Sequence, residues 1–260
     1  MSWSTLIVER QGGVVRVRLN RPDKRNAQTV EMWDELRRVG LELEADSTVR
    51  VVVVSGEGHS FSAGIDLSVI MGQAQGKPAL PLEVELVQQA FTWLRDARFA
   101  TIAMVQGYAL GAGFQLALAC DLRVFSSDAI VALPEISFGI IPDLGGCAWL
   151  PGIVGAARTK ELAFTGDRLG AEDALRFGIA NRVVAREQLE STTMALAMTI
   201  AAKAPLGIAG IKRAVAAAEQ SAEGAIRASA REVRICLDSA DFKEAGRAMV
   251  EKREPQFSGK

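Results

Sequence analysis

The sequence predicts an α/β fold followed by an all-helical region. Three observations carry that prediction. Short apolar runs rich in β-branched residues alternate with amphipathic helical segments as far as NRVV (181–184). Glycines and prolines punctuate the junctions between them. Beyond residue 184 the chain becomes alanine-rich and charged, with no strand candidate up to about Met249.

The first element is GVVRVRLNRP (13–22), which alternates apolar and polar residues and stops at a proline, as a strand does. QTVEMWDELRRVGLELEAD (28–46) sets Met32, Leu36, Val39 and Leu43 on one helical face. VRVVVVSGEG (49–58) reads as a strand buried on both faces and ended by glycines. MGQAQGKPALP (71–81) is a glycine- and proline-containing loop before the helix LEVELVQQAFTWL (82–94). TIAMVQG (101–107) is the next strand, and it leads into a glycine-rich turn and an apolar helix. DLRVFSSDAIVALPE (121–135) supplies two short strands, and AARTKELAF (156–164) and AEDALRFG (171–178) supply helices. The second of these ends at a glycine, a common helix stop. AKAPLG (202–207) breaks the helical tail, so the expected division is an active-site domain at 1–200 and an all-helical region at 201–260.

The 260 residues place the chain between one domain and two, and 49% apolar residues suffice for a sizeable core. Thirty basic residues against 31 acidic give a net charge of -1, which favours neither nucleic acid nor an anionic membrane as partner. Cys120, Cys147 and Cys236 form no CxxC pair, and His59 is the sole imidazole. Neither a metal site nor a disulfide framework is expected, and a cytoplasmic setting fits. MSWSTLIVERQGG lacks the basic and long apolar regions of a signal peptide. Residues 100–120 carry no charge, and Gly107 and Gly111 make a GxxxG within them, the pattern of a membrane helix. Gln106, Gln115 and the clustered glycines favour a buried strand, turn and core helix instead.

Three stretches could carry chemistry. FSAGIDL (61–67) and GYALGAGFQ (107–115) are small-residue turns that each open a helix and present free backbone N–H groups at a positive dipole end. Facing each other, they could converge on one carbonyl oxygen as an oxyanion hole. Alone, the glycines could equally serve close packing. In LPEISFGIIPDLGG (133–146), Glu135 and Asp143 stand eight apart in apolar surroundings. They read either as desolvated acids with raised pKa or as solvated loop carboxylates. Gln115 can orient a group but has no proton equilibrium in the useful range, so it is no acid or base. His59 reads as a solvated loop residue, and Ser60 and Ser62 lack a histidine–acid partner pair. GAGFQL lacks the last glycine of a dinucleotide fingerprint.

Taken in order, LNRPDKRNA (19–27), FSAGIDL (61–67), GYALGAGFQLALACDLRV (107–124), PEISFGIIPDLGG (134–146), AEDALRFGIANRVV (171–184) and DFKEAGRAMVEKREPQF (241–257) resemble the crotonase, or enoyl-CoA hydratase/isomerase, superfamily. The resemblance implies a spiral of repeated β-β-α units, then a C-terminal helical trimerisation region, with a trimer or a hexamer of two trimers as the assembly. It implies an acyl-CoA thioester substrate, with coenzyme A carried as part of that substrate and no separate cofactor.

Carried over, the backbone N–H groups of Ala63 and Ala112 would form the oxyanion hole, with Gly64 and Gly113 keeping the turns tight. Arg25, Ala27, Ile65, Asp66, Leu67, Tyr108, Leu110 and Pro134 match the segments around the CoA moiety and acyl group. Phe257 and Lys260 resemble residues that reach a neighbouring subunit's CoA, and the loop at 71–81 would help shape the acyl pocket. Hydratases of the family use two glutamates. Glu135 matches the second, but the first falls on Gln115. Asp143 resembles an acid of dienoyl-CoA isomerases, a group that carries an acid rather than an amide at position 115.

The expectation is therefore an enoyl-CoA isomerase. Glu135 would be its main base, Asp143 its second proton-transfer group, and Gln115 would place the acyl chain or a water. The alternatives are a hydratase working through Glu135 alone and a non-catalytic CoA-binding protein.

Overall fold

Gly12 and Gly13 close the first hairpin, Gly12 with φ +59°, the two-residue turn that suits right-twisted strands. It joins β1 (Leu6–Gln11) to β2 (Val14–Leu19) with Gln11 opposite Val14. The sequence analysis assigns no strand before residue 13, so β1 is an addition. The computed structural model describes residues 3–74 and 84–260.

A 3-10 turn at Pro22–Lys24 leads to α1 (Val30–Ala45), whose N-cap Thr29 accepts from the Met32 N–H. Next come β3 (Val51–Gly56), α2 (Leu67–Ala74), α3 (Val84–Asp96) and β4 (Ala100–Val105). The chain continues through β5 (Tyr108–Leu110), α4 (Ala112–Ala119), β6 (Leu122–Ser126) and β7 (Ile130–Ala132). After a 3-10 turn at Pro134–Phe138 come α5 (Gly146–Thr165), β8 (Leu169–Gly170), α6 (Ala171–Arg176) and β9 (Arg182–Val184). The helix expected at 156–164 is the second half of α5, beyond a break at Gly155. The tail is α7 (Arg186–Ala201), α8 (Pro205–Ala218), α9 (Ala222–Asp238) and α10 (Ala240–Glu251).

The large sheet runs β1-β2-β3-β4-β6-β9 and is parallel except for the first pair. Its valine runs explain its position. Val52 and Val54 of β3 join the core with α1 and α3, whereas Val51 and Val53 join a second layer with Leu189 and Ala197 of α7. Each buried valine contributes roughly 1.5–3 kcal/mol, and a strand buried on both faces has no polar side.

Between its large-sheet strands the chain repeatedly crosses to a second ladder. That ladder begins with single parallel bridges, Gln28 to Ile65 and Ser62 to Ala109, and continues as β5-β7-β8. This produces the expected α/β spiral of β-β-α turns. The uncharged run 100–120 divides into β4, β5 and the short α4. No single helix among the described residues is long and apolar enough to cross a membrane. Of the expected acyl-pocket loop at 71–81, residues 75–81 lie outside the described residues.

The two glycine turns depend on very close contact. A methyl group on Gly113 would sit 2.4 Å from the Ser62 carbonyl oxygen, whereas one on Gly152 would meet nothing within 4 Å. Gly113→Ala should therefore lose about 1–3 kcal/mol of stability in urea unfolding. Gly152→Ala, inside α5, should leave stability within about 1 kcal/mol or raise it.

Candidate active site

The site forms where neighbouring turns of the spiral meet. Ser62 N–H donates to the Tyr108 carbonyl at 2.9 Å and Leu110 N–H to the Ser62 carbonyl at 3.0 Å, which zips the first glycine turn to the second. Gly64 (φ +95°) has no room for a side chain, since a methyl there would lie 2.7 Å from the Leu110 carbonyl oxygen.

Beneath the first turn, Arg25 (φ +49°) and Asn26 (φ +54°) hold left-handed backbone conformations, uncommon away from glycine. Asn26 is held by its side chain, which accepts from Arg21 N–H and donates to the Glu57 and Ser60 carbonyls at 2.8–2.9 Å. Trp33 Nε1 donates to Gln28 Oε1 at 2.8 Å, and Ser62 Oγ donates to the Asn26 carbonyl at 2.8 Å. These buried polar links fix the turn relative to α1.

This register corrects the expected oxyanion hole. Ala63 N–H donates to the Arg25 carbonyl at 2.8 Å, so it is committed to the fold and cannot serve as the first donor. In the bridge centred on Ile65, the Gly64 carbonyl accepts from Gln28 N–H and Asp66 N–H donates to the Gln28 carbonyl. In a parallel bridge, that pattern turns the N–H of the central residue, Ile65, to the opposite side. Ile65 has no backbone partner among the described residues, and it lines the cavity. Ala112 stands at the first position of α4, where a helix leaves its N–H groups unsatisfied, and it lines the same cavity. Ile65 and Ala112 thus line the cavity with no backbone acceptor seen for their N–H groups among the described residues.

The cavity measures about 500 Å³. Of the residues expected around substrate, Ala27, Ala63, Gly64, Ile65, Asp66, Leu67, Leu110 and Pro134 line it. Gly113 packs behind, against Ser62. Arg25 and Tyr108 stand on adjoining segments, with the Arg25 and Arg168 guanidiniums 5.7 and 5.8 Å from the Tyr108 ring centre. Asp66 pairs with Arg21 at 2.8 Å. Hydrogen bonds from Ser68, reinforced by Arg21, hold its carboxyl down at about 2.

Phe257 and Lys260 do not line the cavity. The Phe257 carbonyl accepts from Arg50, and the Lys260 carbonyl accepts from Ala240 N–H. Sequence reasoning missed Lys24, Gly111, Phe138 and Ile140, all of which line the cavity. The apolar run after Glu135 was the available signal for Phe138 and Ile140, which are conspicuously exposed for such side chains.

Glu135 lies at the floor, on the 3-10 turn after β7, and is 6% exposed. Gly111 (φ +52°) lets it approach, since a methyl there would stand 3.2 Å from Glu135 Oε1. Gln115 Nε2 donates to that Oε1 at 2.7 Å, and Gln115 Oε1 accepts from Gly146 N–H at 2.9 Å. Glu135 Oε2 is buried with no hydrogen-bond partner among the described residues. Burial pushes the Glu135 carboxyl up to about 7; its own backbone N–H and then the Gln115 donor oppose the rise, and the Asp143 charge adds a smaller upward push.

Two expectations change here. Gln115 is 1% exposed and does not line the cavity, so it contacts Glu135 rather than acyl chain or water. Asp143 is half-buried, with its own pKa raised by burial, yet it is not a lining residue. It acts on Glu135 through its charge.

A carboxyl whose pKa is about 7 folded and near 4.5 unfolded stabilises the fold fully below pH 4.5. It loses that contribution as pH rises through 7. Glu135→Gln should therefore unfold later than wild type at pH 8.5, by up to about 3 kcal/mol, and close to wild type at pH 4. Urea denaturation at the two pH values checks this.

Known proteins fit this geometry. The family model described as enoyl-CoA hydratase/isomerase matches residues 9–260. The carnitinyl-CoA dehydratase of Escherichia coli K12 is 36% identical, over 98% of this chain and 99% of its own. The crystal structure of an enoyl-CoA hydratase from Bacillus anthracis superposes with TM-score 0.92 at 29% identity, covering 99% of this chain and 100% of that one. A Thermobifida fusca structure in complex with acetoacetyl-CoA matches at TM-score 0.83 and 36% identity, over 90% of this chain and 94% of its own. With a match across almost the whole length and the same fold, this chain belongs to the enoyl-CoA hydratase/isomerase family.

Proposed function

We propose that this enzyme catalyses the reversible addition of water to a 2-enoyl-CoA thioester, with Glu135 as its only proton-transfer group. One observation carries the reading. A buried carboxylate that lines a cavity with Ile65 and Ala112 has one oxygen clamped by Gln115 and the other without a hydrogen-bond partner among the described residues. The names of the relatives, a dehydratase and a hydratase, support water chemistry over the double-bond shift expected from Asp143.

The thioester oxygen would accept from Ile65 N–H and Ala112 N–H. As electrons move from the double bond onto that oxygen, C3 becomes electrophilic. Glu135 Oε2 takes a proton from water while the water oxygen bonds to C3, which leaves an enolate held by the two N–H donors. The enolate collapses, C2 takes the proton from Glu135, and the carboxylate is restored. Water has then added across the bond, with no net proton change. A carboxyl near 7 both accepts and returns a proton at neutral pH. Lys24 at the cavity, with Arg25 and Arg168 on adjoining segments, offers charge complementary to the CoA phosphates.

The isomerase remains the second reading, favoured by the charge coupling of Asp143 to Glu135. A trimer or hexamer is part of this proposal. Exposed apolar side chains on the C-terminal helices, among them Ile211, Val215, Ile226, Met249 and Val250, support it.

Incubation in heavy water with a 2-enoyl-CoA and, separately, a 3-enoyl-CoA distinguishes the two readings by product mass. Hydration predicts a 3-hydroxyacyl product with one deuterium on C2. That activity should fall about 10²–10⁴-fold in Glu135→Gln and stay within about threefold in Asp143→Asn. Conversion of the 3-enoyl to the 2-enoyl substrate with no hydroxyacyl product would sink the hydratase reading.

A further inference from the structure

We infer that Gln115 is a positioning residue: it clamps one oxygen of Glu135, leaving the other free to exchange the proton, and is itself locked by the first N–H of α5. This rests on Glu135 being the proton-transfer group, as proposed above.

Three groups form a hydrogen-bonded chain. Gly146 N–H donates to Gln115 Oε1, and Gln115 Nε2 donates to Glu135 Oε1. Each amide has a defined orientation, because an exchanged Gln115 would set its NH₂ against the Gly146 N–H and its oxygen against a carboxylate. Gly146 opens a helix, so its N–H lies at the positive dipole end, and polarising the Gln115 carbonyl strengthens the donor at its other end. Gly146 is also confined, since a methyl there would stand 2.6 Å from the Pro142 side chain and 3.2 Å from Gln115 Oε1.

All eight residues of α4 are buried, and the other seven are apolar or glycine, so nothing else on that helix competes for Glu135. The titratable neighbours of Glu135 are Asp143 and the Cys147 thiol. Neither has a hydrogen bond to its carboxylate among the described residues. Gln115 is therefore the sole side chain seen to fix its orientation. With an amide at 115, the same proton must be accepted and returned by one carboxylate, and that carboxylate has to be held still.

The experiment compares wild type with Gln115→Met, which keeps the length of the side chain and removes the donor. Protein labelled with ¹³C at glutamate δ-carbons reports the Glu135 titration directly, without any reaction. The signal is assigned by its absence in Glu135→Gln. In Gln115→Met the Glu135 midpoint should rise above that of the wild type, and the acid limb of the kcat profile should move with it. At neutral pH kcat should fall about 100-fold, as for a misplaced catalytic group. KM and the affinity for the unreactive butyryl-CoA should hold within about threefold, because Gln115 does not line the cavity.

An unmoved Glu135 midpoint with kcat within threefold of wild type would overturn the clamp. If the methionine variant does not fold by circular dichroism, Gln115→Glu decides. Two carboxylates at that contact cannot both ionise, so the pair should titrate in two separated steps, and a single wild-type step would overturn the proposal. Absence of water addition by the wild type would defeat the functional reading alone, since the ¹³C titration still tests the clamp.

Discussion

A carboxyl group shut away from water resists ionising, and the organisation of this site follows from that penalty. Glu135 retains a useful proton affinity because burial pushes its pKa up while its own backbone N–H and the 2.7 Å bond from Gln115 favour the charged form and pull it back down. Its second oxygen has no partner among the described residues, a costly state for a buried polar atom. A packing residue would have no need of that arrangement, whereas a proton-transfer group does. The cost also bears against the non-catalytic alternative, in which the charged form of Glu135 would serve nothing.

The spiral makes this placement possible. The central strands of its large sheet, β3 and β4, are buried on both faces and supply the rigid layer, while the short second ladder borders the cavity. Single bridges, Gln28 to Ile65 and Ser62 to Ala109, determine which peptide groups are consumed and which are free. Glycines at 64, 111 and 113 allow backbone to meet backbone or carboxylate at distances that a Cβ would forbid. Left-handed Arg25 and Asn26 are tolerated because three side-chain hydrogen bonds from Asn26 hold the segment beneath the first turn.

How much of this was legible depends on how local each cause is. The β-branched run at 51–54 and the apolar face of α1 declare themselves by periodicity. The strand β1 leaves little local pattern despite Gly12 and Gly13 between it and β2, because its burial is slight beyond Leu6. The two-residue β8 exists only through its pairing with β7 and leaves no local pattern. At the site, residue types pointed to two turns and a glutamate that line one cavity. They could not show that Ala63 N–H is consumed by the Arg25 carbonyl on the neighbouring segment, which leaves Ile65 as the candidate donor. Gln115 likewise reads as a polar residue facing substrate until Gly146, 31 positions on, is seen to occupy its oxygen.

The central claim is that Ile65 and Ala112 hold the thioester oxygen while the free oxygen of Glu135 faces the reacting carbons. A crystal structure of the protein with acetoacetyl-CoA tests it most directly. The account predicts the thioester oxygen within hydrogen-bonding distance of both the Ile65 and Ala112 nitrogens, with Glu135 Oε2 beside C2 and C3. A thioester oxygen bound elsewhere, or Glu135 turned away with both oxygens engaged by protein groups, would contradict it.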